Sequence, residues 1–155
     1  MEGSLALDAP LLTMEQYLAL PETHLPCELV EGRLVMTPPP GIAHQRALCR
    51  LARVLDDASP ADVEALPSPL GWTLWEVPRP TVREPDVVVA RREEAVGQLL
   101  RRPPLIAVEI LSPTSHERDL VAKREQYARA GLPWYWLVDL DAPAIAVERL
   151  VDGAF

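Results

Sequence analysis

Asparagine is absent from the 155-residue chain, lysine occurs once, at Lys123, and cysteine only twice. The two thiols, Cys27 and Cys49, form no CxxC pair, and His24, His44 and His116 offer no spacing that builds a structural zinc site. A disulfide or zinc scaffold is therefore excluded, and a reducing compartment fits. No apolar run reaches the roughly 18 residues that cross a bilayer. The opening Met1-Glu2-Gly3-Ser4 has no basic start of a secretory leader, so the expectation is a soluble, cytoplasmic protein with no membrane partner. A basic excess is missing too: 15 Lys plus Arg stand against 23 Asp plus Glu, a net charge of −8. That balance argues against coating nucleic acid by bulk electrostatics. It leaves room for a local basic groove and for acids gathered around a divalent cation.

What is present suits one core, because 48% of the residues are hydrophobic and the length is short for two domains; a single domain over 1–155 is expected. Thr13 with Gln16 three residues on is a capping box that opens a short helix ended by Pro21. Glu28-Leu29-Val30 and Arg33-Leu34-Val35-Met36 flank Glu31-Gly32 as the arms of a tight hairpin. From Ile42 to about Asp57, Ala47, Leu48, Leu51, Val54 and Leu55 form an apolar helical face, with Arg46, Arg50 and Arg53 on the opposite one.

Residues 60–69 read as a proline-rich connection and Trp72 to Val77 as a half-buried strand. Asp86 to Ala90 and Leu105 to Leu111 are β-branched-rich and read as central strands. Thr114 with Glu117 is a second capping box, predicting a helix to Ala130 with Gly131 at its C′ position. Trp134 to Asp139 and Ala144 to Leu150 are strands around an Asp141-Ala142-Pro143 turn, and Asp152-Gly153 is a further hairpin turn whose second arm holds only Ala154 and Phe155.

Chemistry concentrates in two carboxylates. Glu109 interrupts the most apolar strand, and a buried carboxylate is costly unless it is paired or binds a cation. Asp86 opens the preceding long strand directly after Pro85, so neighbouring strands bring the two acids within reach of one ion. Hard oxygen donors of this kind suit magnesium or manganese. Lys123, on the helix that follows Glu109, borders the apolar side formed by Leu120, Val121, Tyr127 and Ala128 and can point inward. A chain with arginine at its other fourteen basic positions keeps a compact ammonium only here.

Pro85-Asp86, Val108-Glu109-Ile110-Leu111-Ser112-Pro113, Asp119, Lys123, Tyr127 to Pro133 and Tyr135 to Asp139 together resemble the Uma-type restriction endonuclease family of the PD-(D/E)XK nuclease superfamily. The likeness runs from about Thr13 onward and takes in Glu28 to Gly32, the three prolines from Pro38 and His44. It implies an α/β, restriction endonuclease-like fold, a mixed central sheet flanked by helices with an αβββαβ core behind an N-terminal helix and hairpin. It further implies a divalent metal, Mg2+ or Mn2+, on Asp86, Glu109 and the Ile110 carbonyl. Lys123 would polarise the phosphate or orient water, and Glu28 would be the additional acid ahead of the core strands. One departure is plain: the superfamily's lysine stands two residues after the glutamate, where this chain has Leu111. The charge has to come from the helix instead.

The resemblance thus implies a metal-dependent endonuclease acting on DNA, with a homodimer favoured for cutting two strands. The alternative is a nuclease-fold module without turnover that binds nucleic acid or protein. Plainer readings stand beside each residue. Asp86 can open a strand by local hydrogen bonding, and Lys123 can be a solvated helix residue paired with Asp119. Tyr127 reads as a core-edge side chain whose hydroxyl reaches the site, and His44 as a buried, hydrogen-bonded histidine. The arginine stripe reads first as a solvated face. Trp134, Tyr135 and Trp136 cannot form one stacking surface, since consecutive strand residues face alternately. Arg91, Arg92, Arg101 and Arg102 flank the Glu109 strand, with Glu93 and Glu94 expected to offset the first pair.

Overall fold

A computed structural model describes residues 10–21, 26–111 and 117–155. Helix α1 (Met14–Leu18) starts on the expected capping box, with Thr13 and Gln16 bonded reciprocally. Strands β1 (Cys27–Val30) and β2 (Arg33–Met36) pair antiparallel through a two-residue turn in which Glu31 and Gly32 have φ of 50° and 79°. Both values suit the turn twist that a tight hairpin needs. The Gly32 N–H donates to the Pro80 carbonyl and the Glu31 N–H to the Thr81 hydroxyl, which ties this hairpin to β5 (Thr81–Arg83).

Helix α2 (Ile42–Ala58) is followed by β3 (Val63–Pro67), β4 (Gly71–Trp75), β5, β6 (Val87–Arg91), β7 (Leu99–Leu100) and β8 (Ile106–Leu111). Helix α3 (Glu117–Arg129), β9 (Trp134–Asp139) and β10 (Ala144–Arg149) complete the order. One sheet runs β2-β1-β5-β4-β7 and the other β10-β9-β8-β6-β3. In the second, β3, β6 and β8 are antiparallel neighbours, and α3 carries the chain across so that β9 lies parallel to β8. Parallel neighbours require such a crossover. Taken in order, α2, β3, β6, β8, α3 and β9 are the αβββαβ core implied by the resemblance, with β4, β5 and β7 set into it.

The inner strands β6 and β8 of the second sheet are buried on both faces. Leu48 and Ala52 of α2 pack against Val63, Ala65, Val87, Val89, Val108 and Ile110 on one side. On the other, Val88, Ala90, Ala107 and Tyr135 meet Tyr127 of α3 and Trp72 of β4. Burial on two faces is why β6 and β8 read as continuous apolar runs. Helix α3 ends on a left-handed Gly131 (φ 81°), with Leu132 N–H donating to the Tyr127 carbonyl and Gly131 N–H to Ala128, a Schellman closure.

Several expectations need correcting. The connection at 60–69 contains β3, which pairs with β6 at the sheet edge, where Pro67 leaves no unmet ladder bond. The Trp72 to Val77 strand is Gly71–Trp75, and the short β5 and β7 carried too little pattern to be read. Val54 is 58% exposed, on the flank of the apolar stripe of α2. Around Asp152-Gly153 the turn closes with one bridge, Val151 to Ala154. The capping box at Thr114 lies outside the described residues, as do the side chain of Asp119 and its pairing with Lys123.

Candidate active site

The β6–β8 register pairs Val87 with Val108, so Asp86, one residue before β6, falls opposite Glu109. Residues opposite one another in an antiparallel pair share a face, here the α3 face that also carries Val88 and Ala107. Asp86 lies past the end of the ladder and is held from two sides. Its Oδ2 accepts from the Ile110 N–H at 2.7 Å, and its Oδ1 lies 3.1 Å from Nε2 of His44 on α2. Because the N–H and C=O of a strand residue point the same way, the Ile110 carbonyl looks toward the Asp86 side of β8.

Glu109 is 6% exposed. Lys123 Nζ stands 3.1 Å from its Oε2, and the Tyr127 hydroxyl donates to its Oε1 at 2.7 Å. Lys123 and Tyr127 are one helical turn apart on α3, which lets both reach the same carboxylate. Burial pushes the Glu109 carboxyl up to about 7; the neighbouring charges of Asp86 and Glu28 add to the rise, while Lys123 and the Tyr127 hydrogen bond oppose it. Burial and the nearby carboxylates push the Tyr127 phenol well above its ordinary range, so it is a donor here.

Glu28 is brought in by the hairpin. Leu29 pairs with Val82, so Glu28 falls opposite Arg83 one step along, and the two form a buried ion pair at 2.6 Å. The other Glu28 oxygen accepts from the Glu84 N–H at 2.9 Å and lies 3.7 Å from Lys123 Nζ. Arg83 also donates from Nε to Gln126 of α3 at 2.9 Å, so one guanidinium joins β5, β1 and α3. Glu84 is half-buried, and its carboxyl is pushed up to about 7 by burial and then by Glu28, with Lys123 opposing. The hydrogen bond that His44 donates to Asp86 raises the imidazole above its ordinary value against a lowering by burial.

All five residues singled out in the sequence, Asp86, Glu109, Ile110, Lys123 and Glu28, therefore meet at the end of the β6–β8 ladder. Arg83, Glu84 and Gln126 were not foreseen. The only signal for Arg83 and Glu84 was their place as a doublet directly before Pro85-Asp86, where a strand too short to show alternation carries a buried arginine, and Gln126 had none. Tyr127 and His44 take the places expected of them. The arginines near β8 differ from expectation: Arg91 and Arg92 pair with Asp62 and Glu64, Arg101 with Glu76, and Arg102 with Glu94. Tyr135 is buried against α3 while Trp134 is 39% exposed, as alternation requires.

The cluster sets four carboxylates, Asp86, Glu109, Glu28 and Glu84, against two fixed cations, Lys123 and Arg83. A hard divalent cation would offset that acidic excess, and the donor chemistry fits one. Among the described residues no three His, Cys, Asp or Glu side chains gather into a metal-holding group. An ion would thus rest on Asp86, Glu109 and a backbone carbonyl, with water or substrate filling its remaining positions, the mode usual for magnesium.

Comparison with solved structures gives a match, with TM-score 0.77 and 22% identity, to a "putative nuclease belonging to DUF820" from Anabaena variabilis; it covers 90% of this chain and 80% of the other. At that identity the match establishes a shared fold. No curated protein matches the chain. No helix among the described residues is long and apolar enough to cross a membrane. The sequence model of the Uma2 family, described as "putative restriction endonuclease", matches residues 14–155. With the αβββαβ core in place, this family match supports nuclease function in general terms, and the chain belongs to the Uma2 family.

Proposed function

We propose that the protein is an endonuclease that hydrolyses DNA phosphodiester bonds with Mg2+ or Mn2+, using Asp86, Glu109 and the Ile110 carbonyl as ligands. The observation that carries this reading is the meeting of Asp86, Glu109 and the Lys123 ammonium at one end of the β6–β8 ladder. When bound, the divalent ion supplies positive charge against the phosphate oxygens and lowers the pKa of water. Lys123 adds a second positive charge beside it, matched to the charge that develops on phosphate as a water oxygen bonds to phosphorus and the P–O ester bond breaks. Tyr127 holds the Glu109 carboxylate in one orientation. Glu28, already bonded by Arg83 and the Glu84 N–H, serves to hold Lys123 in place rather than to bind an ion of its own. A homodimer would present two such sites to the two strands of a duplex.

Purified protein incubated with plasmid and linear DNA should cleave with Mg2+ or Mn2+ and stop with chelator. Asp86→Asn, Glu109→Gln and Lys123→Ala should each remove most of the activity. Folded wild-type protein that cleaves no nucleic acid with either ion overturns the proposal. Light scattering tests the dimer. A second reading, a nuclease-fold binding module without turnover, draws on the engagement of Lys123 with two carboxylates. It requires that no divalent ion bind in an Asp86-dependent way, and Mn2+ titration of wild type and Asp86→Asn separates the two.

A further inference from the structure

We propose that His44 is a positioning residue that sets the rotamer of Asp86 for cation binding, an inference that rests on the metal-dependent reading above. Asp86 stands outside β6; its carbonyl accepts from the Ser68 N–H at 2.8 Å, which fixes the backbone and leaves the side-chain rotamer to be set by other groups. Two donors from different elements take that task. The Ile110 N–H of β8 holds Oδ2 at 2.7 Å, and His44 Nε2 of α2 lies 3.1 Å from Oδ1. A single donor would leave the carboxylate free to turn about its other oxygen; donors on separate oxygens fix its plane. Each carboxylate oxygen can accept more than one bond, so capacity remains for an ion.

The state of the imidazole agrees with this role. His44 is largely enclosed, and its Nδ1 is buried with no hydrogen-bond partner among the described residues. With the proton on Nε2, donated to Asp86, Nδ1 is a bare acceptor and no donor is orphaned; the other tautomer would strand a buried N–H and face Asp86 with a lone pair. The ring is carried by α2, which Leu48 and Ala52 anchor to the opposite face of the sheet from α3. Asp86 is thus the point where the α2 layer meets the cluster built on α3. Groups that hold a ligating carboxylate commonly tune metal affinity without touching the ion.

Mn2+ binding to the full chain, followed by calorimetry and electron paramagnetic resonance, tests the assignment with wild type, Asp86→Asn, His44→Asn and His44→Gln. The glutamine amide nitrogen reaches the place of Nε2, whereas that of asparagine reaches only the place of Nδ1. Wild type should bind one Asp86-dependent ion; His44→Asn should weaken it about 10- to 100-fold, and His44→Gln should recover most of the loss. Circular dichroism confirms that each variant is folded. As a readout that needs no metal, the imidazole nitrogen resonances of wild type, recorded at a pH where the ring is neutral, should show the Nε2–H tautomer, and Asp86→Asn should lose that preference. Equal affinity for His44→Asn and wild type, or equal loss in both His44 variants, overturns the role of His44 and leaves the metal site standing. Absence of Asp86-dependent Mn2+ binding in wild type overturns the metal reading and the His44 role together.

Discussion

Both oxygens of Glu109 are bonded, and burial raises its carboxyl to about 7 from an ordinary 4.5. A raised acid holds its proton longer in the folded than in the unfolded chain. Its contribution to stability is therefore full below about pH 4.5 and is lost as the pH climbs toward 7. In chelator-treated buffer, urea denaturation across that window should show wild type losing stability that Glu109→Gln does not lose. Parallel profiles for the two proteins would contradict the burial account. Lys123 makes a second case. Removing it leaves two buried carboxylates without their shared ammonium, so Lys123→Ala should reduce cleavage about 100- to 1000-fold, as loss of one charge-stabilising donor does elsewhere. Lys123→Arg should not restore it, because a planar fork does not replace a compact ammonium between two acids. Single-turnover rates below the melting point of each variant check both.

Arg83 shows how a short strand can govern a site. It ties β5 to β1 through Glu28 and to α3 through Gln126. Arg83→Met should cost about 3–5 kcal/mol in urea melts by taking from the buried Glu28 its closer cation partner, and the double variant with Glu28→Gln should recover part of it. At the far end of α3, Gly131 has φ of 81°, so Gly131→Ala should cost about 1 kcal/mol or more, read by the same method. That glycine was legible in the sequence, as were the Thr13 capping box and the Glu31-Gly32 hairpin. Each is local chemistry in which one residue type answers one backbone requirement. Strands β6 and β8 were legible because burial on both faces demands an unbroken β-branched run. Strand β3 was hidden among prolines and β5 is three residues long, and neither has a pattern apart from its neighbours.

The proposed activity sets an acidic chain, of net charge −8, against an anionic substrate, and a divalent ion would be the natural intermediary. Mg2+ or Mn2+ at 100 times its dissociation constant should stabilise the protein by about 2.7 kcal/mol, read as a rise in melting temperature that Asp86→Asn abolishes. An unchanged melting temperature at saturating ion would remove the link between binding and the folded cluster.

The chain order alone settled the three helices, the β1–β2 hairpin, strands β6, β8 and β9, the sheet-buried Glu109 and the presence of two acids and one lysine. These follow from periodicity and from the cost of burying charge, which are properties of a few adjacent residues. Register decided the rest. Only the antiparallel alignment of β6 with β8 sets Asp86 opposite Glu109, and only the packing of α3 and the β1–β5 pairing bring Lys123 and Glu28 to them. The tie from His44 to Asp86 joins helix α2 to the edge of a strand far along the chain. Distances of that kind arise from how layers stack, and no local rule of sequence contains them.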